Sequence, residues 1–293
     1  MRTEQEMMNT IMNIAKNDDR IRAVYMNGSR TNPHVPKDIF QDYDIVYVVT
    51  ETLPFIKDKK WLNLFGDVLL MQEPNKNDQS QNSAIDSPCS YGYLMLFTDG
   101  TRIDLHIEKK EYMQEHYGYE KLTLPLLDKD HSLSPIPSPT DADYHVEKPS
   151  EFMFIECCND FWWNLQNVAK GIWRDELPYA KGMFECVIRL RLDEMVSWWI
   201  GSQHNFKISV GKMGKYFKKH LPEEYWEMYK KSYGDDNYDT FWNAIFVTCE
   251  LFRCLGKDVA RTLGFTYHLT EDRNMMSYLT HVKHLPSDAK NIY

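Results

Sequence analysis

Two acidic residues one position apart, Asp42 and Asp44, open an apolar run, Ile45-Val46-Tyr47-Val48-Val49. If the run is a strand, its side-chain period of two points both carboxylates the same way, with Cα atoms about 6.6 Å apart. Like charges held on one face repel unless a cation lies between them. A Gly-Ser turn, Gly28-Ser29, followed by Arg30, stands a short loop upstream. Such a turn offers backbone N–H groups and a hydroxyl to an anion, and Arg30 adds positive charge. The pattern suits a metal-bound phosphate. An Asp-x-Asp on its own is more often a polar loop running into a strand, and the preceding Gly-Ser-Arg shifts the balance.

A third carboxylate belongs to the same chemistry. Two apolar runs, Tyr93 to Phe97 and Arg102 to Ile107, flank Asp99-Gly100, which is a hairpin signal. In the second run Ile103, Leu105 and Ile107 share one face and Arg102, Asp104 and His106 the other. Asp is disfavoured in the middle of a strand, so Asp104 marks either an edge strand with a solvated face or a site. If its strand neighbours that of Asp42 and Asp44, the three converge as metal ligands. Oxygen donors of this kind suit two Mg²⁺ ions, which at about 3.5–4 Å apart serve an in-line phosphoryl or nucleotidyl transfer.

The elements that must position these groups are legible in outline. Thr3 and Glu6 form a capping box before Met7, Met8, Ile11, Ile14 and Ala15, which recur at helical spacing. Ile21 to Met26 reads as a strand leading into Gly28, Asp67 to Met71 as another, Trp61 to Phe65 as the end of a short helix, and Lys76 to Pro88 as a polar loop. Pro135, Pro137, Pro139 and Pro149 mark a linker over 135–149. Helices follow: Ser150 to about Lys170 stopped by Gly171, Leu177 to Ile200 stopped by Gly201, then Lys212–His220, Glu223–Ser232, Tyr238–Leu263 and Glu271–His284. The expectation is an α+β domain over 1–134 with a small mixed sheet, and an all-helical domain over 150–293. The cleft between two such domains is the default place for a ligand.

Composition sets limits. At 293 residues with 43% hydrophobic and 26% charged residues, the chain has ample sequence for a sizeable core. A net charge of -9 without a basic patch argues against an extended nucleic-acid surface. No apolar run reaches membrane-spanning length, the first nine residues are polar, and the 6 cysteines contain no Cys-x-x-Cys. These point to a cytoplasmic protein with reduced thiols and no membrane partner. Aromatic residues, with 8 Trp and 18 Tyr, are plentiful enough for a pocket with aromatic walls as well as a core.

Longer stretches carry a resemblance. Gly-Ser, a spacer, Asp-x-Asp and a later strand Asp form the pattern of the nucleotidyltransferases similar to DNA polymerase beta. Met26 to Pro33, Phe40 to Ile45, Phe161-Trp162-Trp163, Val168 to Lys181 and Val210 to Lys215 resemble the bacterial aminoglycoside 6-adenylyltransferases, the streptomycin adenylyltransferases. The resemblance spans nearly the whole chain. It implies transfer of AMP from ATP to the 6-hydroxyl of streptomycin with release of pyrophosphate. It also implies Asp42, Asp44 and Asp104 on Mg²⁺, and Gly28, Ser29 and Arg30 at the ATP phosphates. Asp104 is either the general base or a metal ligand only, with Glu73 in reserve. Lys212 and Lys215, beside a Gly-rich turn, either reach the triphosphate or form an exposed basic helix start. A cationic antibiotic wants acids and aromatic faces. Glu156, Asp160 and Trp163 on one helix and Glu185 on the next are the candidates, each of which also reads as solvated face or core. Another nucleotidyltransferase acceptor, or a non-catalytic nucleotide-binding module on this scaffold, remain the rival readings. A dehalogenase-like phosphatase is disfavoured, because there the apolar strand precedes the first Asp.

Overall fold

A computed structural model describes residues 1–76 and 88–293. Most of the expected 76–88 loop lies outside the described residues. The chain divides into two compact units, Met1–Asp143 and Tyr144–Tyr293, with the division inside the proline-rich stretch.

In the first unit, helix α1 (Glu4–Asn17) begins with the capping box. The Thr3 hydroxyl accepts from the Glu6 N–H at 3.2 Å, and the Thr3 N–H donates to the Glu6 carboxylate at 2.8 Å. Met7, Ile11 and Ala15, four residues apart, are fully buried. They pack on one face of a six-stranded sheet. The strands are β1 (Ile21–Asn27), β2 (Tyr43–Val49), β3 (Val68–Gln72), β4 (Ser90–Phe97), β5 (Arg102–Lys109) and β6 (Thr123–Asp128), in the order β3-β4-β5-β2-β1-β6. The short helix α2 (Leu53–Lys57) follows β2. A 3₁₀ stretch, Lys59–Phe65, occupies the place where a short helix end was expected.

The sheet is mixed. β2 and β5 run parallel, and every other neighbouring pair is antiparallel. Alternation sorts β5 as expected, with Ile103, Leu105 and Ile107 fully buried against α1's side. The other face carries a smaller cluster, Ala23, Tyr25, Val46 and Val48, covered by Met113 of helix α3 (Lys110–His116). Side-chain parity puts Asp44 and Asp104 on this second face.

Besides α2, two further elements escaped the sequence reading. α3 is a seven-residue helix with no side-chain cap. β6 contains Pro125, which argues against a central strand. The sheet resolves this by placing β6 at an edge, with a register irregularity beside Tyr25, the residue opposite Pro125.

The second unit is helical: α4 (Glu151–Trp173), α5 (Leu177–Met183), a π-turn (Phe184–Ile188), α6 (Arg189–Gln203), α7 (Phe217–His220), α8 (Glu223–Lys231), α9 (Tyr238–Leu263) and α10 (Leu269–Lys283). Phe161 of α4 stacks on Phe252 of α9 with ring centroids 3.7 Å apart, at the centre of one large apolar core. Among the described residues no helix is long and apolar enough to cross a membrane.

Gly171 and Gly201 were expected to stop helices, and neither does. α4 runs on to Trp173 and α6 to Gln203. A Cβ on Gly171 would lie 2.9 Å from the Cβ of Ala180, and one on Gly201 would lie 2.7 Å from the Phe206 ring. These glycines admit a close neighbour rather than end a helix. Gly171→Val is therefore expected to cost about 1–3 kcal/mol through overpacking. Gly182→Ala, in α5 with nothing within 4 Å of the added carbon, should be neutral or mildly stabilising. Urea denaturation of the two variants checks this, and equal losses in both would contradict it.

Candidate active site

The site is built by register. In the parallel pair, Asp44 of β2 lies directly opposite Asp104 of β5, and Asn27 of β1 lies opposite Asp44 on the other side. Asp42 immediately precedes the strand rather than lying within it. Thr123 of β6 continues the row, its hydroxyl 2.8 Å from the Asn27 side-chain oxygen.

Three carboxylates brought together this way lack full compensation. Burial and the nearby Asp104, Asp42 and Glu120 push the Asp44 carboxyl up to about 7 from an ordinary 3.8. Asp42 is also raised, by burial against the opposing pull of Arg102. The countercharge is Arg102. Its guanidinium forks onto Asp104 at 2.8 and 2.7 Å and reaches Asp42 at 3.4 Å. As the side chains stand, no three acidic, His or Cys groups among the described residues close into a metal shell. The donor set nevertheless fits a hard divalent cation. It is all oxygen, mutually repulsive, and already drawing a guanidinium onto two of its members.

The Gly28-Ser29 turn presses on this cluster. Gly28 has φ 74°, and a Cβ there would fall 2.2 Å from an Asp44 carboxylate oxygen. Its N–H is taken by the Leu122 carbonyl at 3.0 Å, so it is not offered to a phosphate. Ser29 opens a single 3₁₀ turn, and its hydroxyl has no protein partner among the described residues. The structure directs Arg30 elsewhere than a phosphate. Its guanidinium donates to the Asp42 and Gln41 carbonyls at 2.9 and 2.8 Å and lies 3.7 Å over the Tyr43 ring. Arg30 therefore fastens the turn to the residues that lead into β2.

Glu73, held in reserve as a base, is committed to Lys59 at 2.6 Å and to the Tyr91 hydroxyl at 2.8 Å. Burial raises its carboxyl, but these two hydrogen bonds prevail and leave it below the usual range. That makes it a poor proton acceptor.

In the helical unit the expected substrate residues are not gathered. Glu156 is exposed. Asp160 pairs with Arg191 at 2.9 Å and Glu185, in the π-turn, with Arg189 at 3.2 Å. Trp163 is 65% exposed, whereas Phe161 and Trp162 are core. Lys212 and Lys215 are exposed around a tight turn in which Gly211, Met213 and Gly214 all have positive φ.

The family model for streptomycin adenylyltransferase matches residues 1–282. The chain belongs to the streptomycin adenylyltransferase family. It is therefore an adenylyltransferase by family. Among relatives named aminoglycoside 6-adenylyltransferase, one from Campylobacter jejuni is 40% identical over 273 residues, covering 93% of each chain. One from Bacillus subtilis is 35% identical over 91% of this chain and 93% of its own. One from Staphylococcus aureus is 32% identical over 91% and 94%. A crystal structure of an aminoglycoside 6-adenyltransferase from Bacillus subtilis aligns over 97% of this chain and 100% of its own, with 30% identity and a TM-score of 0.48.

Sequence reasoning missed Arg102 as the countercharge, although alternation had put it on the face of Asp104. It also missed Glu120, whose loop carried no signal. The raised Asp44 has a measurable consequence. A carboxyl whose folded pKa exceeds its unfolded value stabilises the fold while protonated, and that contribution is lost as pH rises through the folded value. Metal-free protein should thus lose stability between about pH 4 and pH 7, and Asp44→Asn should flatten that decline. Urea midpoints across this range test it, and parallel profiles for the two proteins would contradict it.

Proposed function

We propose that the chain transfers AMP from ATP to a hydroxyl of streptomycin, the 6-hydroxyl, releasing pyrophosphate and conferring resistance to the drug. Family membership supports adenylyl transfer to an aminoglycoside. The single observation that carries the chemistry is the parallel register that sets Asp44 against Asp104, with Asp42 alongside.

Asp42, Asp44 and Asp104 would hold Mg²⁺, two ions in our reading. Bound there, Mg²⁺ would supply positive charge against the triphosphate and the negative charge that develops in the transfer. The chain's own contribution is preorganisation. β2 and β5 fix the spacing of the carboxylates, Gly28 lets the turn approach Asp44 without a side chain between, and Arg30 anchors that turn. The free Ser29 hydroxyl is a donor for a phosphate oxygen. Lys212 and Lys215 are our candidates for further triphosphate contacts. The acceptor oxygen attacks the α-phosphorus, the bond to pyrophosphate breaks, and the acceptor's proton passes to Asp104. For that step Arg102 must release the Asp104 carboxylate that it now forks. ATP locates the reaction in the cytoplasm.

Purified protein with α-labelled ATP, Mg²⁺ and a panel of aminocyclitols should label streptomycin, and mass spectrometry of the product should assign the adduct to the 6-hydroxyl. Asp42→Asn, Asp44→Asn and Asp104→Asn should each lower turnover by about 10²-fold or more without lowering the thermal midpoint by more than a few degrees. Failure to label any aminocyclitol would overturn the substrate assignment. Near-normal turnover in one variant would remove that residue from the site.

A further inference from the structure

Among the described residues the Arg102 guanidinium bonds only to acids of the site. Its Nε donates to Asp104 Oδ1 at 2.8 Å and its Nη2 to Asp104 Oδ2 at 2.7 Å, while Nη1 reaches Asp42 Oδ2 at 3.4 Å. The fork thus takes both oxygens of Asp104 and one of Asp42. A hard divalent ion needs those same atoms. Each oxygen keeps a second lone pair, but a guanidinium and a divalent ion on one carboxylate repel each other at close range. Occupancy by either disfavours the other.

The backbone around Arg102 is tied down. Asp99 accepts from the Thr101 N–H at 3.0 Å and from Arg2 Nε at 2.9 Å, and Arg102 itself pairs with Leu96 of β4. Only the side chain is free to leave, and it is the open member of its pair. The Arg102 side chain is 45% exposed against 17% for Asp104. The bridge between Arg253 and Asp272 is built differently. There the side chains are 18% and 2% exposed, and the Tyr267 hydroxyl adds a third bond to Asp272 at 3.2 Å. That pair is closed on both sides, as a structural bridge is. The pair at Arg102 is open on its cationic side, where an ion pair contributes little to stability. Its hold on Asp104 is one that a divalent ion can break.

We infer that Arg102 is a resident competitor for the metal ion. Its guanidinium holds Asp104 and Asp42 while no ion is bound, and it withdraws from Asp104 as an ion enters. This rests on the reading of the three carboxylates as a metal site. It adds that the affinity of the site is set by a positive side chain as well as by the acids.

Two measurements on the full chain test it: Mn²⁺ binding, followed by the paramagnetic resonance of the free ion, and Mg²⁺ titration of the arginine Nε–H signals in ¹⁵N spectra. The binding counted is the part lost in Asp44→Asn. Arg102→Met should bind Mn²⁺ about tenfold more tightly than wild type. Arg102→Lys, which keeps the charge but cannot fork, should fall between the two. The Nε–H signal of Arg102, assigned by its absence from Arg102→Lys, should shift as Mg²⁺ saturates, whereas a structural bridge would hold it in place. Should Arg102→Met fail to fold, the lysine variant and the titration decide. Equal affinity in wild type and the variants, or an Nε–H signal unmoved at saturation, overturns the proposal and leaves the metal reading standing. Binding by the variants alone supports it, since the competitor then prevails in the wild type. No binding in any of these proteins brings down the metal reading and the proposal with it.

Discussion

Repulsion among three carboxylates is the constraint on which the first unit turns. Asp42, Asp44 and Asp104 stand on adjacent strand ends, where solvent cannot fully screen them. The fold tolerates this in two ways. Burial and its acidic neighbours push the Asp44 carboxyl up to about 7, which favours its neutral form, and Arg102 shares its guanidinium between Asp104 and Asp42. Neither device would be needed if the strands were shifted by one residue, because the acids would then alternate onto the opposite face. The apolar residues that fix the register, Ile45 and Tyr47 on β2 and Ile103, Leu105 and Ile107 on β5, therefore set the electrostatics of the site from the far side of the sheet.

The same logic separates support from contact. Arg30 looks from its sequence position like a phosphate ligand, yet backbone carbonyls and the Tyr43 ring consume it. Gly28 reads as an anion-binding turn, yet its N–H goes to Leu122 and its missing side chain makes room for Asp44. Both residues position the acids. What they leave open is the Ser29 hydroxyl. In the helical unit, arginines quench Asp160 and Glu185, while Glu156 has no ion pair among the described residues.

Much of this was legible in the chain. Binary patterning fixed the hairpin of β4 and β5 and the faces of β5, because one side is buried and the other is not. The capping box of α1 and the long periodic helices were equally plain. Pairing of β2 with β5 was not, since parallel neighbours leave no turn between them to read. β6 hides behind Pro125, and Gly171 and Gly201 read as stops because tertiary closeness has no local signature. The acids were visible as residue types, but which of them would be neutralised depended on arginines such as Arg191 and Arg102, and their partners are fixed only by packing.

Asp44 and Asp104 are about sixty residues apart in sequence, yet hydrogen-bonded strands bring them level. Closing so long a loop carries an entropy cost that only the finished sheet offsets. During synthesis, β1 and β2 can pair early as an antiparallel ribbon, leaving the β2 edge unoccupied until β4 and β5 have emerged. That edge is the apolar run Ile45 to Val49, a template for the wrong partner while it waits. The arrangement that makes the site also makes its assembly non-local and slow. Pairing with the fifth strand is what closes that edge.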